Sequence, residues 1–176
     1  MRTQSNNRKQ LILAIYPNTR GFGYALFEGP AAPVDWGLKT VRPPKNPNSM
    51  EQVRILLHIF RPGLVVLEDC TAKGSRRSKR IRQLTGGIVR LARHKAIEVK
   101  RYSRAGIREC FHPYGAQNKD DIARAIGQLL GEFARYVPPR RKLWMSEHYR
   151  MGLFDAVALA LTYYVHQQGI SEERSV

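Results

Sequence analysis

"LILAIYPNTRGFGYALFEG", Leu11 to Gly29, reads as two strands joined by a tight turn. Leu11 to Ile15 is a continuous apolar run rich in β-formers, the composition of a strand buried on both faces. Pro17, Asn18 and Gly21 break it, and Phe22 to Glu28 resumes as a second strand. A doubly buried strand belongs in the middle of a sheet. The residue at its end, Tyr16, therefore sits at a sheet rim, where a pocket can open. Tyr16 is either a core aromatic or the occupant of a position that elsewhere carries a reactive group.

Working outward, "VDWGLKTV" (34–41) supplies a third strand and completes an antiparallel meander. "PPKNPNS" (43–49) reads as a loop, from which Asn48 or Ser49 caps a helix running to Phe60, stopped by Pro62-Gly63. "LVVLE" (64–68) is a short apolar strand that, like the first, ends on a polar residue. A helix over 78–95 leads to the strand "IEVKRY" (97–102), and Ser103 or Arg104 opens a short helical piece. Asn118 caps a helix over 119–135, "VPPRRK" (137–142) is a loop, and the final long helix covers 146–168. The order predicts an α/β fold: a mixed five-stranded sheet, antiparallel meander first and parallel strands after, flanked by helices. Residues 11–168 form its single domain, with a flexible basic leader at 1–10 and a flexible tail at 169–176. The first and fourth strands both exit into turns, so Tyr16 and Glu68 can lie side by side.

The charge is unusual. Thirty Lys and Arg face fourteen Asp and Glu, a net charge of +16 over 176 residues. Such an excess in a chain that is 43% hydrophobic points to a folded protein with a polyanionic partner. Between Lys73 and Arg104 there are 12 basic residues and one acid, Glu98. No amphipathic basic helix dominates, which favours nucleic acid over a membrane surface. Met1 to Gln10 is polar and no apolar run approaches the roughly 20 residues of a membrane span, so the expected location is cytoplasmic. Cys70 and Cys110 are too few and too far apart for a zinc site, and in the cytosol they are expected as reduced, largely buried thiols.

Several residues carry chemistry. Glu68 places a carboxylate at a strand end, where it is either a cap or a ligand. Asp69, if the strand continued, would point to the opposite face. Asp155 lies in "GLFDAVALALTYYV", a helix apolar enough to be buried on most sides. A carboxylate there needs a cation or several hydrogen-bond donors, which leaves a buried ion pair with arginine or a metal ion shared with Glu68. "KGSRRSKRIR" (73–82) holds six basic residues, Lys73, Arg76, Arg77, Lys79, Arg80 and Arg82. Like charges so dense repel one another unless an anion neutralises them, which argues for phosphate contact. Asn118-Lys119 opens a helix and is a second candidate phosphate contact.

Together these pieces resemble the RuvC family of Holliday-junction endonucleases, within the RNase H-like fold. "LAIYPNTRGFGYAL" resembles its first hairpin, whose first strand ends in Asp-Pro-Gly. "LVVLEDCTAKG" is similar to its fourth strand with the catalytic glutamate. "GGIVRLARHKAIEVKRYSRAGIRE" resembles the following helix and fifth strand, "NKDDIARAI" a lysine-bearing helix start, and "FDAVALAL" the Asp-Ala-x-Ala ending. The resemblance implies a two-metal nuclease, in which carboxylates hold two Mg²⁺ (or Mn²⁺) ions about 4 Å apart. It assigns Glu68 and Asp155 as metal ligands and Lys119 as a basic residue near the scissile strand. Tyr16 falls where the family has its bridging aspartate, and Gly152 where it has a further acid or histidine.

A phenol with an ordinary pKa near 10 is neutral at pH 7 and does not bridge two hard cations. The implied function is therefore binding of branched or structured nucleic acid, four-way DNA junctions foremost, with the family's role in DNA recombination and repair and with its Mg²⁺-dependent cleavage weakened or lost. The metal is then either present in an active enzyme or absent altogether. The alternatives are an active resolvase with a rearranged site, in which Asp69, Glu147 or His148 supplies a ligand, and an RNA-binding assembly factor on the same fold. His148 would share a helical face with Asp155. The family also implies a homodimer.

Overall fold

The structure is a computed structural model and describes residues 10–173. The expected basic leader lies outside the described residues except for Gln10, as do 174–176. Strand β1 (Ile12–Pro17) is buried along its whole length. It sits in the middle of a five-stranded sheet of order β3-β2-β1-β4-β5, with β2 at Gly21–Gly29, β3 at Ala32–Thr40, β4 at Leu64–Glu68 and β5 at Glu98–Tyr102. β2 pairs antiparallel with both β1 and β3, and β1–β4 and β4–β5 are parallel. The mixed sheet expected from the sequence is the one observed.

Alternation along the central strands divides the core in two. Ile12, Ala14 and Tyr16 join Leu64 and Val66 on one face, under helices α3 (Arg104–Phe111), α4 (Lys119–Leu129) and α5 (Met151–Glu173). Leu13, Ile15, Val65 and Leu67 line the other face, under α1 (Lys45–Phe60) and α2 (Lys79–His94). In α2 the buried residues Ile81, Leu84, Thr85, Ile88, Val89 and Ala92 recur at helical spacing, and Ser78 caps its start by accepting from the Ile81 N–H. Ser103 and Asn118 cap α3 and α4 in the same way.

Four helix boundaries differ from the sequence reading. α1 begins at Lys45 and not at Asn48 or Ser49. Pro47 falls in its first turn, where a backbone N–H has no intrahelical partner to lose, so the proline that suggested a loop is accommodated. α4 stops at Leu129, because Leu130 leaves the helix in an extended conformation and is buried, and a 3₁₀ segment at Gly131–Tyr136 inserts Phe133 into the core. α5 begins at Met151, five residues later than expected, and runs through Glu173, past the expected end at Gln168.

α5 lies close to the sheet because two glycines face each other. A Cβ on Gly23 would stand 2.0 Å from the Gly152 carbonyl oxygen. Gly23 is the antiparallel partner of Tyr16, so this contact seats the first turn of α5 beside the end of β1. Among the described residues no helix is long and apolar enough to cross a membrane. Cys70 is buried and Cys110 half-buried, and both are free thiols.

Candidate functional site

The parallel register sets Ile12 beside Leu64 and Ala14 beside Val66. Two residues further on, the same register brings Tyr16 level with Glu68. By alternation both point toward α5, whose Asp155 closes the third side. Tyr16, Glu68, Lys119, Glu147 and Asp155 line one cleft of about 570 Å³. Sequence reasoning placed Tyr16, Glu68, Lys119 and Asp155 in one site, and the fold brings them together.

The electrostatics of the cleft are closed within the chain. Arg77 Nε stands 3.1 Å from Glu68 Oε2, and Arg104 Nε 3.8 Å from Glu68 Oε1. Lys119 Nζ is 3.0 Å from Asp155 Oδ2 and 3.4 Å from a Glu147 carboxylate oxygen. Tyr16 links the two halves. Its hydroxyl oxygen accepts from Arg77 Nη1 at 3.4 Å and from Lys119 Nζ at 3.4 Å. Both cations also lie over its ring, the Arg77 guanidinium 4.8 Å and the Lys119 ammonium 5.2 Å from the centroid. Arg77 Nη2 donates further to the Pro17 carbonyl. The contacts run Glu68–Arg77–Tyr16–Lys119–Asp155 without interruption.

Protonation follows from burial and these partners. The Asp155 side chain is only 11% exposed. Burial pushes its pKa up to about 6, Lys119 pulls it back down, and Glu147 and Glu68 add to the rise. Tyr16, 4% exposed, has its phenol raised chiefly by burial and secondarily by Asp155, so it is neutral at pH 7. Burial works against the Lys119 ammonium, but Asp155, Tyr16 and Glu147 outweigh it and hold the lysine above its ordinary range.

This donor set does not fit a two-metal centre. Glu68 and Asp155 already have cationic partners, and the group between them is a protonated phenol. Among the described residues no group of three His, Cys, Asp or Glu is placed to hold a metal ion. Asp69 is in the turn after β4, where its carboxylate accepts from the Thr71 N–H and hydroxyl. His148 precedes α5 and so shares no helical face with Asp155; its Nδ1 accepts from the Arg150 N–H and its ring stacks on Tyr149. Gly152 is packed against β2, and a Cβ there would meet Asn18 Nδ2 at 2.6 Å. Glu147 does reach the cleft, through Lys119.

The basic segment divides into two kinds of residue. Lys73, Arg76, Lys79 and Arg82 are exposed. Arg77 turns inward to Glu68, and Arg80 bonds the Asn46 side chain and the Asn18 carbonyl, both at longer sequence range than any local pattern reveals. A second hollow of about 200 Å³, lined by Lys73, Arg76 and Arg108 among others, adjoins the cleft at Glu68 and Arg104. Arg104 was not among the site residues expected from the sequence. Its signal was the register, because Glu68 pairs with Tyr102 and Arg104 follows two residues later.

No family model matches the chain, and no curated protein matches its sequence. Solved structures do. The chain is similar to the Thermus thermophilus RuvC structure, with a TM-score of 0.63 at 18% identity over 91% of this chain and 97% of that one. It matches T. thermophilus RuvC in complex with Holliday junction substrate at TM-score 0.65, again 18% identical, over 91% and 96% of the two chains. The yeast mitochondrial Holliday junction resolvase Ydc2 aligns at TM-score 0.60 and 14% identity, over 95% of this chain and 84% of that one. The fold is the RuvC-like, RNase H-like fold.

Proposed function

We propose that this chain binds branched DNA, four-way junctions foremost, and that its carboxylate pair is held by built-in cations in place of divalent metal. The observation that carries the reading is the unbroken contact chain from Glu68 through Arg77, Tyr16 and Lys119 to Asp155. It occupies the cleft of a fold shared with a protein solved on a Holliday junction. A divalent ion would have to displace a guanidinium and an ammonium to reach both carboxylates. The exposed residues Lys73 and Arg76, in the hollow that adjoins that cleft, and Lys79 and Arg82, in the first turn of α2, supply cations for the phosphates. A homodimer is the assembly the resemblance implies, and it would present two such clefts to the arms of one junction.

The test pairs binding with cleavage. Purified chain should bind a labelled four-way junction equally in EDTA and in Mg²⁺ or Mn²⁺, without nicking it. Tyr16→Asp adds an anionic oxygen beside Glu68 and Asp155, so Mg²⁺ should raise the melting temperature of that variant and leave the parent unchanged. Mg²⁺-dependent nicking by the parent that disappears in Glu68→Gln would overturn the reading. It would favour the rearranged resolvase, for which Glu147 is the acid within reach of the cleft.

A further inference from the structure

The loop between the 3₁₀ segment and α5 carries the largest apolar exposure in the described chain. Leu143 is 105% and Trp144 79% exposed, with Met145 following. They form the tip of a turn closed by the Met145 N–H donating to the Lys142 carbonyl at 3.0 Å. Both ends of the turn are tied to α4. Arg141 Nε pairs with Asp120 Oδ2 at 3.9 Å, and Glu147 pairs with Lys119. The tip is therefore held outward at a fixed place, and that place is the mouth of the cleft, which Arg141, Lys142 and Leu143 help to line.

A tryptophan left open to water beside three consecutive cations has a specific use. Arg140, Arg141 and Lys142 precede the tip, and the Lys142 ammonium lies 5.2 Å from the Trp144 ring centroid. An apolar protein groove would accept Leu143 and Trp144 but gains nothing from the cations. A nucleotide uses both: its base stacks on the indole and its phosphate meets the cations. We propose that the Leu143–Trp144 turn is a stacking platform for an unpaired base of branched DNA, delivered to the cleft mouth where strands exchange. This rests on the junction-binding reading and adds the element that takes the unstacked nucleotide.

The chain contains two tryptophans; Trp36 is partly buried and packed edge-on against Phe133, whereas Trp144 is 79% exposed, and Trp144→Ala separates their signals. The full chain is titrated with a four-way junction, a single-stranded DNA of equal length and a blunt duplex, at one salt concentration. Indole emission reports stacking, and the anisotropy of a labelled strand reports binding. Junction and single strand should quench the emission while the duplex does not. Trp144→Ala should abolish the quenching and weaken junction binding about tenfold, the scale of one stacked base, with Trp144→Phe restoring most of the affinity. Junction binding with unchanged emission would overturn the platform and leave the junction reading intact. Equal quenching by duplex would overturn the unpaired-base assignment, and stronger quenching by a single-stranded RNA of the same length, titrated alongside, would overturn the assignment to DNA. Absence of any junction binding would overturn both proposals.

Discussion

Lys119 and Asp155 show how one residue's state is set by another. Asp155 has its proton held to about pH 6 chiefly because it is buried, and Lys119 is what keeps that value from rising further. Lys119→Met should therefore move the Asp155 titration well above 6, readable from its carboxyl ¹³C shift. The stability consequence has a definite sign. A carboxyl whose folded pKa exceeds its unfolded value near 4 loses stability as pH rises between the two. In the parent that window lies between about pH 4 and 6. In Lys119→Met it widens upward, so the variant should lose more stability at pH 8 than at pH 5 in urea denaturation. Equal losses at both pH values would show that the two groups are not coupled. Glu147, half exposed, should shift the same titration less when changed to Gln.

Helix α5 and strand β2 meet backbone to backbone, and the geometry of the cleft depends on that contact. A methyl on Gly23 would lie 2.0 Å from the Gly152 oxygen and 2.4 Å from its carbonyl carbon, and neither is a flexible side chain that can move aside. Gly23→Ala should destabilise the fold by roughly 3 kcal/mol or more, as overpacking against backbone does. It should also separate Lys119 from Asp155 by lifting the first turns of α5. A fully stable Gly23→Ala variant would show that α5 is seated by its other contacts. The elements themselves were largely legible from local pattern. The doubly apolar β1 and β4 and the cap Asn118 each state their place in a few residues. What was illegible depends on distance. Arg77 and Lys79 look alike in sequence, yet Arg77 turns inward because the β1–β4 register places Tyr16 and Glu68 beside it, and Tyr16 is 61 residues away. The starts of α1 and α5 and the end of α4 were misplaced where a proline was tolerated in a first turn, where Glu147 is held by Lys119 before α5, and where burial of Leu130 overrode helix continuation.

Over the whole molecule the net charge of +16 is unevenly spent. Arg77, Arg104 and Lys119 neutralise Glu68, Asp155 and Glu147 inside the cleft, while Lys73, Arg76, Lys79 and Arg82 remain open to solvent. Only the second group can release counterions from DNA, and each phosphate neutralised contributes about 0.9 to the slope of log K against log salt. Replacing Lys73, Arg76, Lys79 and Arg82 together by Ala should make that slope shallower by roughly 3 to 4 and weaken binding by orders of magnitude. The melting temperature should hold, because none of the four is buried. Arg77→Gln should behave in the opposite way. It leaves the buried Glu68 carboxylate without its nearest cation, so stability falls, while the salt slope stays near that of the parent. Anisotropy titrations at several salt concentrations, with a thermal melt of each variant, separate the two groups. If the quadruple variant keeps the parent's slope, the phosphates are met elsewhere, and the loop carrying Arg140 and Lys142 becomes the next surface to neutralise.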